Sequence, residues 1–396
     1  MNIVVQKYGG SSVADSEKIM NVARKVIKKV KEGNKVVAVV SAMGKTTDNL
    51  IKLSKEITAS PEPREMDMLL TTGEQVSASL LAMAINSLKV KSCSLNAFQA
   101  GILTTKNFTE ARIKNFNSDK LDKYLKTNDV LVVTGFQGIT EDDELTTLGR
   151  GGSDTSAVAL AAALKAKCEI YSDVDGVYTV DPRLHPEAKK IKYITYDEML
   201  EMASSGAKVL HSRCVEIAKK FGVVIYCAST FSDTEGSYVV DKVIDQPAVT
   251  GLSVMNNQTQ VTISNLELDY TLVQKIFEDV STEHLNVDMI SIINTGERLN
   301  ISFTVVEEKK KHLDTALKNI LKNLKGWNID YKSGFSKISV VGIGMKSATG
   351  VAARFFNALK NIPILLVTTS EIIISGLLEE KYKDKAVKAL VKEFEL

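Results

Sequence analysis

The chain has 396 residues, 44% of them apolar and 25% charged, which is the make-up of a globular protein too long for one ordinary core, so two or three domains are expected. Fifty Lys and Arg nearly balance 48 Asp and Glu, without the basic surplus by which a nucleic-acid binder captures phosphates. No apolar run approaches the roughly 20 residues that cross a bilayer, and the apolar start of MNIVVQKYGG is too short for a signal sequence.

The first part alternates short apolar runs with amphipathic stretches. Ile3–Val5 is a strand candidate, followed by Ile19, Val22, Ala23, Val26, Ile27 and Val30 at helical spacing. Val36–Val40 is apolar without alternation, as a strand covered on both faces should be. Strand character returns at Val130–Thr134, Glu169–Ser172 and Val223–Cys227, and helices fit Met66–Ile85, Thr155–Lys165 and Ala207–Phe221. This alternation predicts an α/β domain over residues 1–230: an open, largely parallel sheet sandwiched by helices. Ligands in such sheets bind beyond the carboxyl ends of the strands, where the polar and glycine-rich motifs of this chain fall. The polar stretch Phe231–Pro247 reads as a linker or crossover, covering residues 231–248.

From Val249 onward one small pattern occurs twice. Its first copy has strand Gln260–Ser264, helix Leu272–Glu283, strands Val287–Ile292 and Asn300–Val305, and helix Lys311–Leu324. The second has strand Lys337–Val341, helix Val351–Leu359, strands Ile362–Val367 and Glu371–Leu377, and helix Lys383–Phe394. Each is the core of a ferredoxin-like α+β module, giving modules at 249–331 and 332–396. A further strand for each must come from elsewhere, with Ala248–Val254 and Trp327–Tyr331 as candidates, so the modules can exchange a strand. The cysteines, Cys93, Cys168, Cys214 and Cys227, fall at no close metal-ligand spacing; reduced thiols in a soluble cytoplasmic protein are expected.

Five segments carry chemistry. Lys7-Tyr8-Gly9-Gly10-Ser11-Ser12 is a strand end, a glycine pair and hydroxyls before a helix, suited to close approach of an anion, although it is not a Walker A loop and an ordinary tight turn has the same pattern. Ser41–Asp48 places hydroxyls after the Val36–Val40 strand, as ligand or as turn residues. Thr71–Gln75 sets Gly73 inside a helical pattern at a cost of ~1 kcal/mol relative to Ala, which implies close approach of another group; Glu74 there could pair with a substrate ammonium. Thr147–Ser156 contains three good capping residues, Ser153, Asp154 and Thr155. Capping leaves Arg150 unexplained, whereas a guanidinium on a glycine-rich loop can grip a carboxylate bidentately. Last, Tyr171–Tyr178 with Asp181-Pro182-Arg183 forms a polar loop able to sandwich an adenine; its alternating acids lack the glutamate of a calcium loop. Lys208 lies near the expected start of a helix, where a cation opposes the helix dipole unless a phosphate is bound.

In this order the five segments resemble the aspartate kinases of the amino-acid-kinase family, and the resemblance covers essentially the whole chain. Where the family's usual opening has Phe and Thr, this chain has Tyr8 and Ser12. The two C-terminal modules look like paired ACT domains, seen in Val287–Ser291 and Gly342–Met345. The resemblance implies that Lys7, Gly9, Gly10, Ser11 and Lys208 hold the phosphates of ATP. Ser172, Asp173, Tyr178 and Arg183 would line the rest of the nucleotide site. Ser41, Thr47, Glu74, Phe136, Arg150, Gly152, Ser153 and Asp154 would surround aspartate.

The β-carboxylate of aspartate, with a reference pKa near ~3.9, is already ionised at neutral pH. No general base is needed, and no histidine occurs in these motifs. Lys7 and Lys208 would stabilise charge on the transferred phosphoryl group, with Mg²⁺ bridging the phosphates and no protein ligand assigned to it. Asp154 would then organise Lys7 or the substrate ammonium. The ACT resemblance implies an allosteric effector, lysine or threonine, at Leu268, Asp269, Thr271, Leu272 and Val273 and at Asn286, Val287 and Asp288. It also implies a homodimer or homotetramer formed through the modules. Modules that only dimerise, a different acceptor such as glutamate or a nucleoside monophosphate, and a sensor that kept the scaffold without catalysis are the rival readings.

Overall fold

The computed structural model describes residues 2–244, 246–282, 285–322 and 326–396. The expected helix ends at Glu283 and Leu324 lie outside the described residues, as does Asp245 of the expected linker. The chain divides into two units, one of Met1–Val177, Lys190–Ser204 and Lys208–Asp245, the other of Tyr178–Lys189, Ser205–Ala207 and Gln246–Leu396.

The first unit begins with β1 (Asn2–Tyr8), α1 (Ser16–Lys31), β2 (Asn34–Val40), α2 (Thr46–Ile57), α3 (Pro63–Ser87) and β3 (Ser92–Leu95). Next come α4 (Ala97–Ala100), β4 (Ile102–Thr104), β5 (Ile113–Phe116), α5 (Ser118–Thr127), β6 (Val130–Thr134), β7 (Gln137–Ile139) and β8 (Leu145–Thr147). Then follow α6 (Gly152–Ala163), β9 (Lys167–Ser172), β10 (Val177–Tyr178, of which only Val177 belongs to this unit), β11 (Lys190–Ile191), β12 (Tyr193–Thr195) and α7 (Tyr196–Ser204). The set ends with α8 (Ser212–Phe221), β13 (Ile225–Ser229) and β14 (Ser237–Val240). The main sheet has the order β12-β14-β13-β9-β1-β2-β6-β3. Its six strands from β13 to β3 are parallel, and β14 turns antiparallel at the edge of β13. Val36–Val40 and Val130–Thr134 are buried along their whole length, which is why their sequences show no alternation.

Register places the site. Tyr8 sits level with Val40 and with Tyr171, and Val40 level with Thr134. The residues that follow, Gly9, Ser41, Gly135 and Ser172, therefore emerge at one rim of the sheet. Backbone bonds stitch that rim: Gly9 N–H to Tyr171 O (3.2 Å), Ser41 N–H to Tyr8 O (3.1 Å) and Gly135 N–H to Val40 O (2.9 Å).

Three expectations change. Ser237–Val240, expected within a linker, pairs with β13 and β12 as part of the main sheet. A second sheet, β5-β4-β7-β8, was not visible in the sequence, because strands of three or four residues are too short to show a period. The 25-residue α3 is long and apolar enough to cross a membrane by length and composition, against the expectation that no such run exists. It carries fully buried Asp67 and nearly buried Glu74 and packs on α1, β3, β6 and β8, so here it serves as a core helix.

The second unit contains β15 (Gly251–Glu267), α9 (Tyr270–Thr282), β16 (Asp288–Asn294), β17 (Arg298–Val306) and α10 (Lys310–Leu321). After these come β18 (Asn328–Val341), α11 (Val351–Ala358), β19 (Leu366–Thr369), β20 (Ile373–Glu379) and α12 (Lys383–Phe394). They form one antiparallel sheet, β16-β17-β15-β18-β20-β19. Ala248–Val254 and Trp327–Tyr331 are not separate strands: their strand residues are the leading ends of β15 and β18, which pair from Gly251–Val341 to Ser264–Asn328. One apolar core gathers Ile276, Phe303 and Leu317 under α9 and α10, and another gathers Phe355, Val340 and Leu390 under α11 and α12. Ile362, expected in a strand, is buried in the latter core ahead of β19.

Candidate active site

At the carboxyl rim of the main sheet lies a cavity of about 470 Å³. It is lined by all eight residues expected around an amino-acid substrate, Ser41, Thr47, Glu74, Phe136, Arg150, Gly152, Ser153 and Asp154, and by Lys7 and Gly10 of the first motif.

Lys7 is the penultimate residue of β1 and is 9% exposed. Its ammonium lies 2.7 Å from Asp154 Oδ1. Asp154 is in the first turn of α6, whose N-cap is Gly151 at φ +68°, and no side chain caps the helix. Ser153, Asp154 and Thr155 therefore do not cap it, although all three are capping residue types: Thr155 bonds Gly151 O through its hydroxyl at 3.1 Å, and Asp154 is taken by Lys7. Gly10 is required where it stands, since a Cβ would come 2.8 Å from Ala42 O.

Glu74 comes from α3 and is 3% exposed. Its Oε1 accepts from Ala42 N–H at 3.0 Å, while Oε2 has no partner among the described residues. Burial pushes its carboxyl up to about 7, only partly offset by the Ala42 hydrogen bond. The close approach expected at Gly73 is present, because a Cβ there would lie 2.8 Å from the Ala42 side chain. Phe136 adopts φ +69°, and its ring crowds Gly152, where an added Cβ would be 2.8 Å from Phe136 Cδ2. Arg150 is exposed and makes no ion pair with the described residues, flanked by Gly149 and Gly151 at φ +75° and +68°.

Thr47, read from the sequence as a ligand or a turn residue, sits in the first turn of α2 and lines the cavity. Its helix escaped notice because Ser41–Asp48 has the composition of a turn and Leu53 and Ile57 on its outer face are exposed.

The remaining expected residues distribute differently. Ser11 is exposed in a short 3-10 helix, Gly10–Val13, and Ser172 is half-buried at the end of β9, with its Oγ 3.3 Å from Val174 N, beside exposed Asp173. Lys208 does not line the cavity. It is exposed in a loop, and α8 begins only at Ser212, after His211 in extended conformation. The expected helix start at Ala207 is thus corrected, and with it the conflict between Lys208 and a helix dipole. Tyr178 and Arg183 belong to the second unit, where Arg183 pairs with Asp181 at 2.6 Å.

Of the expected effector residues, Leu268, Asp269 and Thr271 are exposed where β15 passes into α9. Asp269 accepts from the Thr271 amide (2.8 Å) and hydroxyl (2.7 Å), and these bonds hold its carboxyl below the usual range. Leu272, Val273 and Val287 pack into the core under α9, so their side chains are structural. Asn286 is exposed, and Asp288 starts β16 and is ion-paired with buried Lys337. Asp288 lies opposite Thr304, while Asn294, at the other end of β16, reaches Tyr270. Within one chain the two segments are therefore at opposite ends of that strand.

Sequence reasoning missed Asp67, which accepts hydrogen bonds from the lining residues Thr109 and Thr147, and Arg213, which donates to the adjacent Leu148 and Ala111. The signal for Asp67 was its position seven residues before Glu74, on the buried face of one helix.

Residues 2–229 match the amino acid kinase family and residues 338–394 an ACT domain. An aspartokinase of Bacillus sp. (strain MGA3) is 47% identical over 402 aligned residues, spanning 100% of this chain and 98% of its relative. The fold resembles E. coli aspartokinase III in complex with aspartate and ADP (TM-score 0.82, 23% identity, 100% of both chains). It also resembles that enzyme in complex with lysine and aspartate (TM-score 0.77, 23% identity, 99% of both chains). The kinase family model covers more than half of the chain, the ACT match falls at its C-terminal end, and the relative aligns throughout; the chain belongs to the aspartokinases of the amino acid kinase family.

Proposed function

We propose that the protein transfers the terminal phosphoryl group of ATP to the side-chain carboxylate of L-aspartate, giving 4-phospho-L-aspartate and ADP, the first step toward lysine, threonine and methionine. The observation that carries this reading is the single cavity lined by Lys7, paired with Asp154, together with Arg150 and Glu74. Arg150 grips the α-carboxylate and Glu74 receives the ammonium, leaving the β-carboxylate directed toward Lys7. One carboxylate oxygen forms a bond to the γ-phosphorus as the bond to the bridging oxygen of ADP breaks. The acceptor is already ionised, so no proton moves, and the work is to hold two anions together and stabilise the charge between them.

Lys7, Gly9, Gly10, Ser11, Ser172 and Asp173 take the nucleotide along the rim. Lys208, Tyr178 and Arg183 are assigned to it on the family pattern. Among the described residues no three His, Cys, Asp or Glu side chains are arranged to hold a metal; Mg²⁺ enters as an ion carried by the triphosphate, with no protein ligand assigned. Asp154 orients Lys7 rather than acting as a base.

The ACT modules sense lysine or threonine in this reading, which is supported by the complex of E. coli aspartokinase III with lysine. Because the two effector segments lie at opposite ends of β16, a site using both needs a second copy of the chain, so the working form is a homodimer or homotetramer. The reactants are soluble, and the protein acts in the cytoplasm.

Trapping with hydroxylamine tests the assignment: aspartyl hydroxamate should accumulate with ATP and aspartate and not with glutamate. ATP turnover indifferent to aspartate, or faster with another carboxylate or a nucleoside monophosphate, would overturn it.

A further inference from the structure

Arg150 is poorly placed to fix itself. It is exposed, has no ion pair among the described residues, and stands between two glycines in the left-handed region, where the backbone is least restrained. Bidentate recognition of a carboxylate needs the opposite, a guanidinium held in one orientation. The residues just before it are held unusually firmly. Asp67, on α3 and 0% exposed, accepts from Thr147 N–H (2.9 Å), Thr147 Oγ1–H (2.6 Å) and Thr109 N–H (2.9 Å). None of these donors is a cation, and burial raises its pKa. Arg213, in the first turn of α8, donates Nη1–H to Leu148 O and Nη2–H to Ala111 O, both at 2.8 Å. Burial and nearby Arg112 lower its pKa.

Each charge is expensive where it sits. A buried carboxylate without a cation costs free energy that only its hydrogen bonds offset, and a cation in a first helical turn opposes the dipole. Yet both direct their hydrogen bonds to the same two segments. These segments are also joined by Ala111 N–H to Thr147 O (2.9 Å), and Leu148 N–H bonds Phe136 O at 2.8 Å. Thr109, Thr147, Gly149 and Arg150 line the cavity; Asp67 and Arg213 do not.

We propose that Asp67 and Arg213 are positioning residues for the acceptor amino acid, which bracket Thr147–Leu148 from outside the cavity and so set the place of Arg150. The proposal rests on the reading of this cavity as the aspartate site.

The test uses the full-length protein, with aspartate and ATP varied separately. Asp67→Asn and Arg213→Met should raise the aspartate KM about tenfold or more, short of the ~10²-fold that a 1 Å misplacement can cost, and leave the ATP KM within about twofold. Arg213→Lys, which reaches one carbonyl but not both, should recover part of the loss. In an Arg150→Ala background Asp67→Asn should add less than about twofold, because its effect runs through Arg150. An unchanged aspartate KM, an equal rise in both KM values, or full additivity with Arg150→Ala would overturn the proposal. Wild-type aspartate kinetics in Arg150→Ala itself would sink the site reading and this inference together, whereas a damaged Arg150→Ala beside normal Asp67 and Arg213 variants sinks the inference alone. Should Asp67→Asn not fold, the two Arg213 variants decide by the same KM criteria.

Discussion

The ammonium of Lys7 lies 2.7 Å from the carboxylate of Asp154, with both side chains largely withdrawn from water. The pair couples the end of β1 to the first turn of α6, so the contact that orients Lys7, the cation proposed to bind phosphate, also ties two elements of the cavity together.

That double duty can be separated. Lys7→Met should lower turnover by at least ~10²-fold, as removal of one transition-state donor does. It should also destabilise the fold, because Asp154 is left largely buried without its partner. The double variant Lys7→Met/Asp154→Asn should regain melting temperature without regaining turnover. Turnover near normal in Lys7→Met removes Lys7 from the phosphoryl role.

Arg150→Lys keeps the charge and loses the planar fork. Aspartate binding should weaken by about 1–3 kcal/mol, the range for hydrogen bonds to charged groups. ATP binding should hold. Steady-state kinetics with each substrate varied in turn would check this, and unchanged aspartate kinetics would take Arg150 out of the substrate site.

Glu74 gives a pH dependence whose sign can be worked out. Its carboxyl is pushed up to about 7 in the fold, and only its ionised form attracts an ammonium. Aspartate KM should therefore fall as pH rises through about 7, and Glu74→Gln should flatten that profile while raising KM at high pH. Stability runs the other way. A folded pKa above the unfolded value favours the fold below the unfolded pKa, and that advantage is lost as pH climbs through about 7. Glu74→Gln should thus be stabilising chiefly at alkaline pH. A KM profile with the same slope in wild type and variant argues against the ammonium contact.

The rim that carries the candidate site was legible because the strands leading to it are easy to read. Val36–Val40 is an uninterrupted apolar run, so Ser41 could be placed just past the carboxyl end of its strand, whereas Phe136 entered only through the family resemblance. Arg150 stood out because capping could not explain it, whereas Asp154 read as a capping residue and entered the candidate site through the family resemblance. What stayed hidden depends on contacts between distant positions. Asp67 meets Thr109 and Thr147, and Arg213 meets Ala111 and Leu148, pairings that no local period records. The strands β4, β5, β7 and β8 are each too short for one. The sequence pattern starts α8 five residues early, since Val209 and Leu210 extend the apolar pattern although His211 is extended.

Asp288 is already held by Lys337, so an effector ammonium at Asp288 competes with that lysine for the carboxylate. L-lysine or L-threonine should raise the melting temperature of the wild type, by the equivalent of about 2.7 kcal/mol at a hundred times Kd. Asp288→Asn should abolish the shift, while Lys337→Met, which removes the competitor, should strengthen it. No shift and no change in activity with either amino acid, singly or together, rules out these effectors.

Gly151 stands between Arg150 and the helix that presents Asp154, and its side-chain position is already filled. A Cβ there would lie 2.2 Å from Cγ of His211, and the backbone is at φ +68°. Gly151→Ala therefore meets two separate penalties, a clash and a left-handed conformation that costs a non-glycine residue roughly 1–2 kcal/mol. His211→Gly should relieve the first and leave the second. The melting temperature of Gly151→Ala should fall well below that of wild type, with aspartate KM raised because the loop carrying Arg150 must shift. In the Gly151→Ala/His211→Gly double variant the residual loss, measured against His211→Gly alone, should shrink to roughly 1–2 kcal/mol. Additive losses in the double variant would mean that the imidazole does not restrain this loop, and that the glycine is needed for its backbone alone.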